Sequence, residues 1–404
     1  MEISKLAASI VESPTVKLNA EAVKLRAQGE AVVHLGIGEP KNKAPHSAIV
    51  SAIEKLKSGE VKYAPTDGIP SLKKAIVHYT EKNYGKIIDP ANVIVSDGAK
   101  HSLFNLLYSL INPGDQVIIL APYWVSYPEM VRMMNGVPVI LTPADGGFYP
   151  TISEIEKGIT PSTRAIIVNS PNNPSGAIFP DELVEKIVDL CEKKNIYLFM
   201  DDIYHKLIFD GKKITPVFNF TKKDIESTNI VVINGLSKTY GMTGFRIGWV
   251  VGNRRLVKVM TNIQSQSTTC NSPICQVAGE AAITGDQSCV DELVAAIQTN
   301  RDTVIKELRS IPGVKVAKPE GTFYCLPDFS ALNKDSMALA EFLLKKALVV
   351  TIPGKEFGAE GHLRISYAGA ASEIADGLAR LKWALDPSVP REIQIGNRRV
   401  VRDW

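Results

Sequence analysis

At 404 residues, 45% hydrophobic and 22% charged, the chain is long enough for two domains or one large α/β domain and has the composition of a soluble globular enzyme. Its 46 basic and 43 acidic residues nearly cancel, to a formal +3, without the clustered basic excess of a nucleic-acid surface. Five cysteines with no Cys-x-x-Cys spacing speak against a disulfide framework or a metal site and for a reducing, cytoplasmic setting, and no run reaches the roughly 18 apolar residues of a membrane span.

In chain order, a helical segment at Leu18–Ala27 precedes a short strand at Val32–Leu35. The middle then alternates β-branched runs with amphipathic stretches, which predicts a mostly parallel seven-stranded sheet covered by helices. The strands are read at Val93–Ser96, Gln116–Ala121, Pro138–Thr142, Ala165–Asn169, Ile196–Met200, Ile230–Ile233 and Arg246–Gly252. Helices are read at Ser102–Leu110, Ser153–Lys157 and Pro180–Lys194; the leucine stripe of the first needs only a core to explain it. Beyond residue 285 come a long helix, Val290–Leu308, and strand-like Val314–Ala317, Phe323–Leu326, Val349–Ile352 and Leu363–Tyr367. A last helix follows at Ser372–Leu385, and then a locally basic stretch, Arg391–Arg402, read as a solvated tail.

In open parallel sheets ligands bind outside the carboxyl ends of the strands. Five strands here run directly into polar or glycine-rich clusters: Asp97–Lys100, Pro122–Trp124, Ser170–Gly176, Asp201–Tyr204 and Asn234–Lys238. Gly98-Ala99-Lys100 opening a helix suits an anion such as phosphate, although such a start is often only a cap. The spacing of a nucleotide P-loop is absent, and no Gly-x-Gly-x-x-Gly follows a strand. The sharpest segment is Gly235-Leu236-Ser237-Lys238-Thr239-Tyr240-Gly241-Met242-Thr243-Gly244-Phe245-Arg246. A partly desolvated lysine there has a lowered pKa and can form a Schiff base, and Arg246 offers a bidentate fork to phosphate.

That segment resembles the pyridoxal-phosphate attachment signature of class I and II aminotransferases (fold type I), and the resemblance runs over roughly residues 8–386. It is closest to the bacterial aspartate aminotransferase subgroup, through Leu35–Pro40, Tyr63–Pro65, Pro122–Pro128, Ser170–Gly176 and His362–Tyr367. The family implies a large cofactor domain at 46–284, a smaller α/β domain from 1–45 and 285–386, and a tail at 387–404. It implies pyridoxal 5'-phosphate on Lys238, with Lys238 moving the proton between substrate Cα and cofactor. Asp201 would pair with the pyridine nitrogen, while Asn173 and Tyr204 would bond the ring oxygen, although Asn173 before Pro174 also reads as a turn. Trp124 would stack on the ring and contact substrate. Ser237, Arg246 and the Gly98, Ala99 and Lys100 backbone would hold the phosphate, with Tyr63 reaching in from the second subunit of a homodimer. Arg364 would clamp the substrate α-carboxylate beside Gly38 and Asn173; an arginine inside an apolar strand is costly unless paired.

There are departures from the family pattern. Lys41-Asn42-Lys43 replaces acidic and aromatic residues, Gly235 stands where some members carry serine, and Asp202 replaces the usual glutamate. The implied reaction is ping-pong amino transfer between an α-amino acid and a 2-oxo acid, with aspartate and 2-oxoglutarate the pair indicated by the subgroup. Broad-range, aromatic and prephenate substrates stay open, as does a lyase or decarboxylase on the same scaffold. A regulatory binding protein would need an N-terminal winged-helix domain, for which residues 1–45 are too short. Thr15, Lys17 and Ser265–Thr268 are candidates to read the substrate side chain.

Overall fold

The computed structural model describes residues 2–10 and 14–404. Its centre is a seven-stranded sheet. The order is Val93–Asp97, Ile247–Val251, Ile230–Gly235, Tyr197–Asp201, Thr163–Asn169, Gln116–Leu120 and Val137–Leu141. Six strands are parallel; Ile247–Val251 alone runs antiparallel to both its neighbours. All seven lie within two residues of their predicted bounds.

Most of these strands are buried on both faces, which is why they read as near-continuous apolar runs. Alternate residues feed two separate cores. Val93, Val95, Ile166, Val168, Leu198 and Met200 pack with helices Pro70–Tyr84, Asp181–Lys194 and Pro273–Thr284. Ile94, Val117, Ile119, Ile167, Phe199 and Val231 pack with helices Ala99–Leu110, Ser126–Met133 and Arg254–Ser267.

A third core brings the two ends of the chain together. Leu18, Val33 and Leu35 join Ile297, Val304, Leu343, Leu381 and Trp383, and strand Val33–His34 pairs in parallel with Val349–Val350. Strand Leu363–Ser366 lies between Ile352–Pro353 and Tyr324–Cys325. Two expectations change here. The run Val349–Ile352 is split into two short strands, and Val314–Ala317 contributes only a bridge from Lys315 to Asp328.

The reading of Arg391–Arg402 as a solvated tail is corrected. These residues form a hairpin, Glu392–Ile395 with Arg398–Val401, whose Ile395 is buried. Arg402 is buried as well, donating from Nη1 to the carbonyls of Trp383 and Asp386 and from Nη2 to those of Pro387 and Val389. Trp404 closes edge-on against Trp383 and Phe342. Arg402 is thus spent on carbonyls at and just beyond the end of helix Ala371–Leu385 rather than on water, while Arg398 and Arg399 stay exposed and pair with Glu30 and Glu392. Arg402→Ala leaves several of those carbonyls without a donor and should destabilise the fold by about 2–4 kcal/mol, read from denaturant melts.

No helix is long and apolar enough to cross a membrane, no group of residues could hold a metal ion, and all five cysteines are free, among the described residues.

Candidate active site

The parallel strands all deliver their carboxyl ends to one edge of the sheet. Because Ile247–Val251 runs the other way, its beginning reaches that edge, and Ile247 pairs with Asp97. Arg246 is thereby set beside Gly98, at a positive φ of 54°. A Cβ on Gly98, itself at φ +83°, would lie 2.4 Å from Arg246 Nη2, and one on Gly248 would lie 2.2 Å from Ala99 N. Only glycine lets the arginine and the helix start approach so closely. The N–H groups of Ala99 and Lys100 find no acceptor among the described residues, and with the Ser237 hydroxyl and Arg246 they face one cavity of about 620 Å³.

Asp201 ends its strand and is buried. Tyr127 donates its hydroxyl to Oδ2 at 2.6 Å, and the Ile203 N–H reaches Oδ1 at 3.3 Å. Burial pushes the Asp201 carboxyl above its ordinary range against the opposing pull of these donors and of the Lys238 ammonium. Asp202 beside it is pushed well up too, by burial first and by the Asp201 charge. A cation brought to Asp201 would pull this pKa back down and favour the ionised carboxylate.

Lys238 follows the neighbouring strand. Its Nζ donates to the Gly38 carbonyl at 2.6 Å. Desolvation, then the Arg364 charge, lower its pKa to about 8, with Glu39 and Asp201 pulling upward and Arg246 downward. A minor fraction of neutral amine, far larger than for an ordinary lysine, is thus available near neutral pH, as a nucleophile requires. At Gly235 a side chain would meet the Ile247 carbonyl at 2.9 Å, so glycine is required by the close approach of the two strands.

Arg364 lies opposite, on strand Leu363–Ser366. Its guanidinium carbon is 4.4 Å from the Tyr324 ring centroid and 4.9 Å from that of Phe357. Nη1 donates to Asn173 Oδ1 and Nη2 to the Gly36 carbonyl, while Nε is buried without a partner. Tyr204 meets the Tyr324 ring edge-on, and burial holds its pKa well above the usual phenol range. The Lys100 ammonium lies 4.8 Å from the Trp124 ring centroid, and Trp124 meets Tyr127 edge-on.

Of the residues singled out from sequence, Gly38, Ala99, Lys100, Trp124, Asn173, Asp201, Tyr204, Ser237, Lys238, Arg246 and Arg364 line this single cavity, with Gly98 directly beneath Arg246. Tyr63 does not line it and is 88% exposed. Ser265–Thr268 sits at the end of helix Arg254–Ser267, away from the cavity wall, and the side chains of Thr15 and Lys17 lie outside the described residues. The sequence reading did not single out Tyr127, Asn169, His34, Asn19, Tyr324 or Phe357. Tyr127 and Asn169 were within reach, the first in the Pro122–Pro128 run and the second at the end of a predicted strand; Asn19, His34 and Tyr324 come to the cavity with the elements of the third core, and Phe357 with the turn Gly354–Phe357.

The profile of aminotransferase class I and II matches residues 30–381. An aspartate/prephenate aminotransferase of Thermus thermophilus is 37% identical over 387 residues, 95% of this chain and 98% of that protein. A probable aspartate/prephenate aminotransferase of Aquifex aeolicus is 38% identical over 382 residues, 93% of this chain and 96% of that one. Among solved structures, the Thermus thermophilus aspartate aminotransferase with maleate matches at TM-score 0.90 and 37% identity, covering 95% of this chain and 100% of that one.

Proposed function

The chain belongs to the class I and II aminotransferases, and from that premise we propose that it transfers the amino group of L-aspartate to 2-oxoglutarate on pyridoxal 5'-phosphate held at Lys238. The observation that carries this reading is the convergence of a lysine of lowered pKa, a buried carboxylate and a partly unpaired arginine in one cavity.

The residues fit the cofactor. Free N–H groups at a helix start, Ser237 and Arg246 make a cradle for its phosphate, and the buried, cation-seeking Asp201 suits its ring nitrogen. Bound there, it supplies a conjugated ring that takes up the electron pair released at the substrate Cα. Lys238 carries the cofactor and then, as a free amine, moves the proton. Asp201 keeps the ring nitrogen protonated, and the Asn173 amide and Tyr204 hydroxyl steady the ring oxygen. Trp124 covers one face of the ring and excludes water.

Arg364 binds the α-carboxylate through the donor edge that its protein partners leave free. A second cation, Lys100, lines the same cavity with its ammonium over the Trp124 ring, and supports a dicarboxylic substrate. The maleate bound by the Thermus thermophilus neighbour has the same two charges. Exposed Ile49, Ile53 and Leu56 share one face of helix His46–Lys57, which supports a homodimer in which Tyr63 reaches the phosphate of the other subunit.

The test is a panel of amino donors assayed with 2-oxoglutarate, with aromatic donors and prephenate as an acceptor included because the relatives' names carry it. Keto-acid formation must depend strictly on acceptor; formation without one would favour a lyase. Arg364→Ala should weaken every amino acid and every oxo acid alike, by about 2–5 kcal/mol in kcat/KM. Equal damage to amines that lack a carboxylate would remove the clamp role.

A further inference from the structure

Strand pairing at the cavity lip stops at Leu35, whose N–H reaches the Val350 carbonyl at 2.9 Å. The chain then turns over Ile352, so closely that a Cβ on Gly36 would lie 2.7 Å from Ile352 Cδ1. At this turn the Gly36 N–H has lost its strand partner, and a backbone donor this well buried needs a substitute. His34 supplies it: Gly36 N donates to His34 Nδ1 at 3.1 Å, and His34 Nε2 meets Asn19 Oδ1, on helix Pro14–Ala27, at 2.8 Å. Since a backbone N–H can only donate, Nδ1 is the acceptor and Nε2 carries the proton.

The next bonds along the turn belong to the site. The Gly36 carbonyl accepts from Arg364 Nη2 at 3.1 Å, and the Gly38 carbonyl accepts from Lys238 Nζ at 2.6 Å. We propose that His34 is a positioning residue: by accepting the Gly36 N–H, with its ring steadied by Asn19 of helix Pro14–Ala27, it fixes the carbonyls of the Gly36–Gly38 turn that aim the Arg364 guanidinium and the Lys238 amine. The ring suits this task because it is rigid and bridges a near donor, the Gly36 N–H, and a far acceptor, Asn19 Oδ1, at once. Burial first, then Arg26 and more weakly Arg364, lower its pKa to about 4, so the ring is neutral near neutral pH and Nδ1 stays an acceptor.

The inference rests on the proposed carboxylate clamp at Arg364, and three variants of the loaded enzyme test it. His34→Asn retains an acceptor at the position of Nδ1 but falls short of Asn19. His34→Gln reaches Asn19 but offers nothing to Gly36. His34→Ala does neither. With maleate as a non-reacting probe, His34→Ala and His34→Gln should raise its Kd by about 10-fold, the loss of one buried hydrogen bond, and His34→Asn should restore most of the affinity. KM should rise for amino acid and oxo acid together, with kcat changed by less than about threefold and little change in the thermal midpoint.

Equal impairment in His34→Asn and His34→Ala would mean that the ring merely fills space, and would overturn the proposal. So would wild-type affinity in all three variants. Arg364→Ala separates the two levels. If it leaves maleate affinity unchanged, the clamp reading fails and His34 with it. If it weakens maleate while every His34 variant binds normally, only the inference about His34 fails.

Discussion

Lys238→Ala is expected to lose more than about 10⁴-fold in turnover while the protein stays folded and still takes up pyridoxal phosphate. The size follows from two functions lost together: the amine that carries the cofactor, and the general base that moves the proton at Cα. The fold should survive because Lys238 projects into the cavity, where, among the described residues, its side chain bonds the Gly38 carbonyl alone. The cradle of Ala99, Lys100, Ser237 and Arg246 is untouched by the change and should still hold the phosphate. Lys238→Arg sharpens the test. It retains positive charge, but a guanidinium does not release a proton near neutral pH, so it should be as inactive as the alanine variant. An arginine variant of appreciable activity would mean that charge alone is needed. Borohydride reduction of the loaded wild-type protein, followed by peptide mapping, should find the label on Lys238; a label on another lysine would remove the assignment.

The cavity was legible in the sequence to the extent that its residues sit where strands end. Asp97–Lys100, Asp201–Tyr204 and Asn234–Lys238 each follow a run of buried apolar residues, and a parallel sheet must bring such ends to one edge. Arg246 reached that edge by the opposite route, through the antiparallel strand, but the spacing from Lys238 already bound the two together. What escaped reading was tertiary. His34 is one polar residue in a two-residue strand, and nothing nearby announces Asn19 or Arg364 as its neighbours. Tyr324 reads as an ordinary core residue, and only tertiary folding turns its ring and that of Phe357, from the turn Gly354–Phe357, onto a guanidinium.

The C-terminal hairpin was hidden for a different reason. Its arginines suggested solvent, yet Ile395-Gly396-Asn397-Arg398 contains a two-residue Gly-Asn loop between β-prone flanks, a recognised hairpin sign. There the charge pattern outweighed the turn chemistry, wrongly, because an arginine can bury its head on carbonyls. The short strands Val349–Val350 and Ile352–Pro353 also show the limit of periodicity: an apolar run does not say where pairing changes partner.

Asp201→Asn is expected to slow Cα proton removal by several orders of magnitude, with the fold intact. The electron pair released at Cα is stabilised only when the ring nitrogen bears positive charge, which a buried carboxylate secures by favouring the protonated ring. Asparagine retains the shape: its Oδ1 can still accept the Ile203 N–H, and its NH2 can donate to the Tyr127 hydroxyl, which turns from donor to acceptor, so the main change is the loss of charge. Asp201→Glu should suffer less, since charge survives although its placement shifts. Reconstitution with a cofactor methylated on the ring nitrogen is the decisive form, because its positive charge is permanent and needs no carboxylate. The methylated cofactor should restore part of the lost rate in Asp201→Asn and give no gain in the wild type, measured as single-turnover loss of the Cα proton. The competing role is visible in the same geometry: Oδ1 takes the Ile203 N–H two residues on, as a strand-end cap does. Were capping its whole task, the asparagine variant would cap nearly as well, turn over at close to the normal rate per folded molecule, and gain nothing from the methylated ring.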